Sequence, residues 1–246
     1  MIDTHAHLDA CADPPAVVVG RARDVGVRRI LTVGTTVSGS RDALALAREH
    51  DGVFAIVGIH PHEAGDDHEI DRLHELVRDE RAVAVGETGL DFFREYAPHD
   101  RQRELFARHV ELARELAKPL VIHNRAADAD VVEALGGFDG DVVLHCFSYP
   151  SVLQTALDRR WYLSFAGNVT YKNAADLRVA ASQVPPDRIL AETDCPYLAP
   201  QPVRGMPNEP ANVVHTVEAL ARVRGVARDE LEAQVDANAE RVFGLS

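Results

Sequence analysis

The chain has 246 residues, 46% of them hydrophobic, and a formal net charge of −13. That length supports one large core without requiring a second domain, and the acidic surplus excludes a broad basic footprint for nucleic acid, so phosphate must be handled locally by metal ions or a few placed cations. No run approaches the roughly 18 to 20 apolar residues of a membrane span and no leader pattern opens the chain, so a soluble, cytoplasmic protein is expected.

Short β-branched runs alternate with amphipathic stretches throughout. IDTHAHL precedes PPAVVVGRARDVG, RRILTVG precedes SRDALALAREH, and VFAIVGIH precedes HEIDRLHELVRD. AVAVGETG is followed by HDRQRELFARHVELARELA, PLVIHNR by AADADVVEALGG, VVLHCF by PSVLQTALDRR, and YLSFAGN by NAADLRVAASQ. ILAETD is the last strand, before NVVHTVEALARVRG and RDELEAQVDANAERVFG. Eight strands alternating with helices imply right-handed parallel crossovers and predict an α/β fold, a closed (β/α)8 TIM barrel, as one domain over residues 1–246. An open doubly wound sheet is disfavoured because no Gly-rich turn follows the first strand.

Such a barrel puts its chemistry at the C-terminal ends of its strands. There lie His5 and His7, His60 and His62, Glu87, His123, His145, and Glu192 and Asp194. Strand side chains alternate with period two, so His5 and His7 share a face, and inward columns are predicted through Val83, Val85 and Glu87, Val121 and His123, Val143 and His145, and Leu190, Glu192 and Asp194. Four imidazoles and two carboxylates would converge, an N/O donor set suited to zinc, manganese, nickel, iron or magnesium. Six donors exceed the needs of one four-coordinate ion and suit a pair of divalent ions sharing a carboxylate.

The motifs MIDTHAHLD, GIHPH, GETGLDFF, VIHNR, LHCFS, SFAGNVTYKNA, ETDCPYLAP, RGMPNEPANV and NAERVFG, in order from Met1 to Phe243, resemble the TatD family of metal-dependent hydrolases, a branch of the amidohydrolase-type barrels. The resemblance implies one metal on His5, His7 and Asp194, a second on His123 and His145, and Glu87 bridging them. It implies two divalent ions (Mg, Mn, Zn or Ni), DNase activity of the 3′-to-5′ exonuclease kind with single-stranded DNA as substrate, and His62 near the scissile phosphate. Ala126 stands where the family usually has an aspartate that is not a metal ligand, which puts a helix cap or a contact with Arg125 in question.

In the mechanism these residues suggest, Asp194 takes up the proton of the attacking water, Glu87 bridges the ions, and His62 stabilises phosphate charge or assists the leaving group. Glu192 and Asp3 are expected behind the ligands, orienting a histidine or pairing with an arginine, and His60 as packing. Lys172 and Arg204 are candidates for backbone phosphate contacts, and Phe92, Phe93, Tyr149 and Tyr171 for base stacking. His50, His68, His74, His99, His109 and His215 are read as structural or solvated, and Cys195 as packing. Two alternatives stay open: hydrolysis of an ester or amide such as an aminoacyl-tRNA ester, and a scaffold protein that binds metal without turnover.

Overall fold

A computed structural model describes residues 1–65 and 70–245; His68 lies outside them. Eight parallel strands pair in chain order: β1 (Ile2–Ala6), β2 (Arg29–Val33), β3 (Val53–Val57), β4 (Ala82–Asp91), β5 (Leu120–Arg125), β6 (Val142–Leu144), β7 (Tyr162–Phe165) and β8 (Ile189–Ala191). The helices between and after them are α1 (Pro15–Asp24), α2 (Val37–Glu49), α3 (Leu73–Val77), α4 (His99–Leu116), α5 (Asp128–Ala134), α6 (Leu153–Asp158), α7 (Ala175–Gln183), α8 (Val213–Arg224) and α9 (Arg228–Phe243). The sheet closes where β8 meets β1: the Asp194 N–H donates to His5 O at 2.9 Å, and the His7 N–H to Cys195 O at 2.8 Å. The fold is the expected (β/α)8 barrel. Among the described residues no helix is long and apolar enough to cross a membrane.

Two apolar layers follow from the strand period. Val57, Val85, Leu120 and Ile122 face outward among the helices, while Ile2, Leu31, Ile56, Val83, Val121, Val143, Tyr162 and Leu190 fill the barrel interior. Ala239, Val242, Phe243 and Leu245 join the interior set. Helix α9 is held beneath the strand starts, the Asn238 side chain donating to Ile189 O at 2.9 Å and the Ile2 N–H to Asp236 Oδ1 at 2.8 Å.

The expected alignment holds for His5 and His7 at the end of β1, which both face Glu87, and for the columns of β5 and β6, but β4 and β8 depart from simple alternation. Val85 belongs to the outer layer, whereas Val83 and Ala84 are both inside. The cause is a pair of register shifts, one on either side of β4. Gly86, at φ 152°, absorbs the second; a Cβ there would meet Val121 O at 2.6 Å. On β1 a shift between Asp3 and Ala6 lets Thr4 reach Ser164 at 3.1 Å while its neighbour His5 also faces inward. Strand β8 ends at Ala191, and Asp194 sits beyond it in a left-handed turn at φ 54°, outside any strand parity.

Candidate metal centre

Glu87 occupies the middle of the mouth, and its two oxygens face different groups. Oε2 lies 3.3 Å from His5 Nε2 and 3.7 Å from His7 Nε2. Oε1 lies 2.8 Å from His145 Nε2, 3.0 Å from His123 Nδ1 and 3.3 Å from His60 Nε2. Asp194 Oδ1 completes the first side, 3.6 Å from His7 Nε2 and 4.0 Å from His5 Nε2. The six residues expected to hold metal therefore meet in one cup.

Among the described residues, three groups bring donor atoms within 4.8 Å of one another: His5 with His7 and Asp194, His5 with Glu87 and His145, and His60 with Glu87 and His123. The third is constrained by a hydrogen bond. The His62 N–H donates to His60 Nδ1 at 3.1 Å, so a neutral His60 carries its hydrogen on Nε2 and turns it toward Glu87. Burial pushes His60 down to about 4 against the pull of Glu87, which keeps it neutral near pH 7. His60 thus turns a hydrogen toward the carboxylate at 3.3 Å and offers no lone pair at that nitrogen.

The donor set fits a divalent cation. His5 Nε2 and His145 Nε2 are buried, close to Glu87 oxygens, and make no aligned hydrogen bond. Nitrogen and oxygen atoms that converge at such distances with no aligned hydrogen bond between them suit a shared ion. Burial opposes charge on every histidine here; the carboxylates overcome it at His7, His123 and His145, which are pushed up, His145 strongly. At His5, burial and the neighbouring His145 lower the imidazole. Burial would raise Glu87 and Asp194, yet the surrounding imidazoles hold both carboxyls down, Glu87 well below the usual range.

Behind the cup, Glu192 Oε1 lies 3.3 Å from His145 Nδ1 and accepts the Cys146 N–H at 2.8 Å, the histidine-orienting arrangement expected of it. Asp3 differs from expectation: it meets neither an arginine nor an imidazole. The Thr193 N–H and hydroxyl donate to it at 2.8 and 2.6 Å, locking β1 to the segment after β8, and burial pushes its carboxyl up to about 8. His109 is structural: its Nε2 accepts the Ile59 N–H at 3.1 Å while Nδ1 lies 2.8 Å from Leu105 O, so α4 carries the GIHPH segment. Cys195 is buried with its Sγ 3.6 Å from Cys11 Sγ, both thiols free.

Around the rim, Phe92 does not offer a free face, being stacked on His99 with ring centroids 3.9 Å apart. Phe93 is exposed beneath Arg125, whose guanidinium lies 4.1 Å from the ring centre. Tyr171 is half-buried under Arg204 at the same 4.1 Å, and Lys172 is exposed. Two exposed tyrosines went unread in the sequence: Tyr96, 4.7 Å from the His62 ring, and Tyr197, 5.8 Å from the His7 ring. Loop aromatics carry no periodic signal, so only proximity reveals them. Ala126 is exposed at φ 55°, and α5 begins without a side-chain cap; its first turn instead carries Asp128, which accepts from Asn124 at 2.7 Å.

Comparison with known proteins agrees with this geometry. The model of the TatD related DNase family matches residues 2–244. A Mycobacterium tuberculosis protein named as the metal-dependent hydrolase TatD is 40% identical, the alignment covering all of this chain and 98% of that protein. A Cronobacter sakazakii protein named 3′-5′ ssDNA/RNA exonuclease TatD is 36% identical over 92% of this chain and 90% of its own length. The crystal structure of the TatD homologue YjjV from Escherichia coli superposes with a TM-score of 0.91 at 28% identity, covering 100% of this chain and 98% of that one. With a barrel of this topology, a cup of histidines around one carboxylate and a family match along nearly its whole length, the chain belongs to the TatD family of metal-dependent hydrolases.

Proposed function

We propose that this protein is a nuclease that hydrolyses phosphodiester bonds of single-stranded nucleic acid from the 3′ end, using two divalent cations held in the cup. The observation that carries the reading is the division of Glu87, one oxygen toward His5 and His7, the other toward His123 and His145. In this reading His5, His7 and Asp194 would hold one ion and His123 and His145 the other, with Glu87 available to both; Mg, Mn, Zn and Ni all suit these donors. The activity named for the Cronobacter relative supports the substrate class. A single domain over residues 1–246 and a cytoplasmic location belong to the same proposal, supported respectively by α9 completing the interior and by the free thiols.

Bound there, the cations would bring the pKa of a water molecule down to about 7 and neutralise phosphoryl charge. Asp194, beside His7, would take up the proton of the attacking water as the oxygen of that water bonds to phosphorus. Glu87 stays ionised because the imidazoles around it hold its carboxyl down. His62, on the substrate side with Nε2 held by Asp91, would give the departing oxygen a proton from Nδ1 when it enters as the imidazolium, so the bond to phosphorus breaks as the new one forms. Phe93, Tyr96 and Tyr197 offer exposed ring faces for unpaired bases, and Arg204 and Lys172 offer cations for the backbone.

A substrate panel tests this: single-stranded DNA labelled at either end, aminoacyl-tRNA and simple phosphate esters, each with magnesium, manganese, zinc or nickel. Stepwise shortening from the 3′ end, abolished by chelation, is expected. Preferential release of the amino acid from tRNA would replace the nuclease reading with an esterase, and turnover of nothing would leave a metal-binding scaffold.

A further inference from the structure

Asp91, the last residue of β4, is fully buried in the wall of the mouth. All of its acceptor capacity is used. Oδ1 accepts the N–H groups of Phe93 at 3.0 Å and Arg94 at 2.9 Å. Oδ2 lies 2.8 Å from His62 Nε2 and 3.2 Å from His123 Nε2. Gln102 fixes the backbone beneath it, accepting the Asp91 N–H at 2.8 Å and donating to Asp91 O at 3.0 Å.

We propose that Asp91 is a positioning residue that sets two histidines with one oxygen, turning His123 toward the metal and His62 toward the substrate. An ionised carboxylate has only lone pairs, so both Nε2 atoms must bring the hydrogen. With two backbone N–H groups on Oδ1 and two imidazole nitrogens at Oδ2, four donors fit the one carboxylate with no hydrogen of its own. With Nε2 committed to Asp91, His123 turns Nδ1 to Glu87 Oε1 at 3.0 Å, and a cation shared by those two atoms would take the place of any hydrogen there. His62 is left with Nδ1 as its unclaimed nitrogen, on a ring that lies against exposed Tyr96. Histidines that ligate metals commonly owe their orientation to such a partner, and losing it lowers affinity about 10–100-fold. Here the same partner also serves the residue that meets the substrate, so the metal and the leaving-group side are aligned together.

What the two Nδ1 atoms do rests on the metal-dependent nuclease reading; the hydrogen positions do not. Long-range proton–nitrogen NMR of the metal-free protein reads them directly. Hydrogen on Nε2 of both His62 and His123 is expected, and a bare Nε2 on either overturns the proposal even if no variant folds. In Asp91→Asn the side-chain oxygen can still accept the two backbone N–H groups, but an amide NH2 faces the imidazoles. His123 should then lose hydrogen from Nε2, and manganese affinity measured by calorimetry should fall at least tenfold. Retention of both hydrogens, or an affinity within twofold of the parent, overturns it. His62→Ala should leave the His123 hydrogen and manganese affinity unchanged; a tenfold fall there would also contradict the division of roles. A parent protein that degrades no nucleic acid yet passes these tests loses its proposed substrate and keeps Asp91 as described.

Discussion

The two ends of the barrel use the same inward positions for opposite ends. At the floor, Ile2, Val83, Tyr162 and Leu190 close against Val242, Phe243 and Leu245 with hardly a polar atom among them. At the mouth, the next inward positions are His5, Glu87, His123 and His145, all ionisable and buried except the half-buried His123, with nitrogens of His5 and His145 that make no aligned hydrogen bond among the described residues. Buried ionisable groups of this kind cost stability unless a ligand completes them. The floor therefore holds the fold, and the mouth uses that stability to keep converging lone pairs in place.

Crossed substitutions can break that division. Glu87→Gln should lower kcat/KM about 1,000-fold, which is about 4 kcal/mol of transition-state stabilisation, with a thermal midpoint near that of the parent. Phe243→Ala should do the converse, costing about 3–5 kcal/mol in denaturant unfolding with kcat of the folded fraction unchanged; a strong loss of turnover there would show that the floor reaches the chemistry. The third test concerns protons at the mouth. Despite burial, Glu87 and Glu192 push the His145 imidazole well up, so in the metal-free protein a cation must displace its proton. Affinity for manganese should rise as pH rises from about 6 to 8, with protons released, measurable by calorimetry in buffers of different ionisation enthalpy. Affinity flat across that range would mean that the cup is already deprotonated. The smallest effect is expected at Ala126, a mouth residue with a left-handed backbone and an exposed side chain. Relieving a left-handed alanine against the entropy of a more flexible chain should make Ala126→Gly more stable by roughly 0.5 kcal/mol, with no change in metal affinity.

How far the sequence carried depended on whether a strand kept its register. On β5 and β6, Val121 with His123 and Val143 with His145 follow the simple alternation and were readable directly. On β4 the count from Val83 to Glu87 passes through two register shifts, and two errors cancel: Val85 is outside, yet Glu87 is inside. Only Gly86 hints at this in the sequence, since a glycine in a strand often marks a bulge. Asp194 reached the site through a left-handed turn that alternation does not describe. Asp91 was overlooked inside GETGLDFF because its work is done by hydrogen bonds to His62 and His123, distant in sequence and invisible to any period. His60, expected as packing, faces Glu87 with Nε2 because the His62 N–H occupies its other nitrogen.

The seal that α9 makes beneath the strands also governs traffic. With Phe243 and Leu245 plugging the interior, the described residues close the floor, and whatever enters by the mouth must turn back the way it came. Departure of a cleaved fragment and arrival of the next bond then share one path and must alternate. For a polymer, a terminus brings one flanking strand through the mouth, whereas an internal bond brings two.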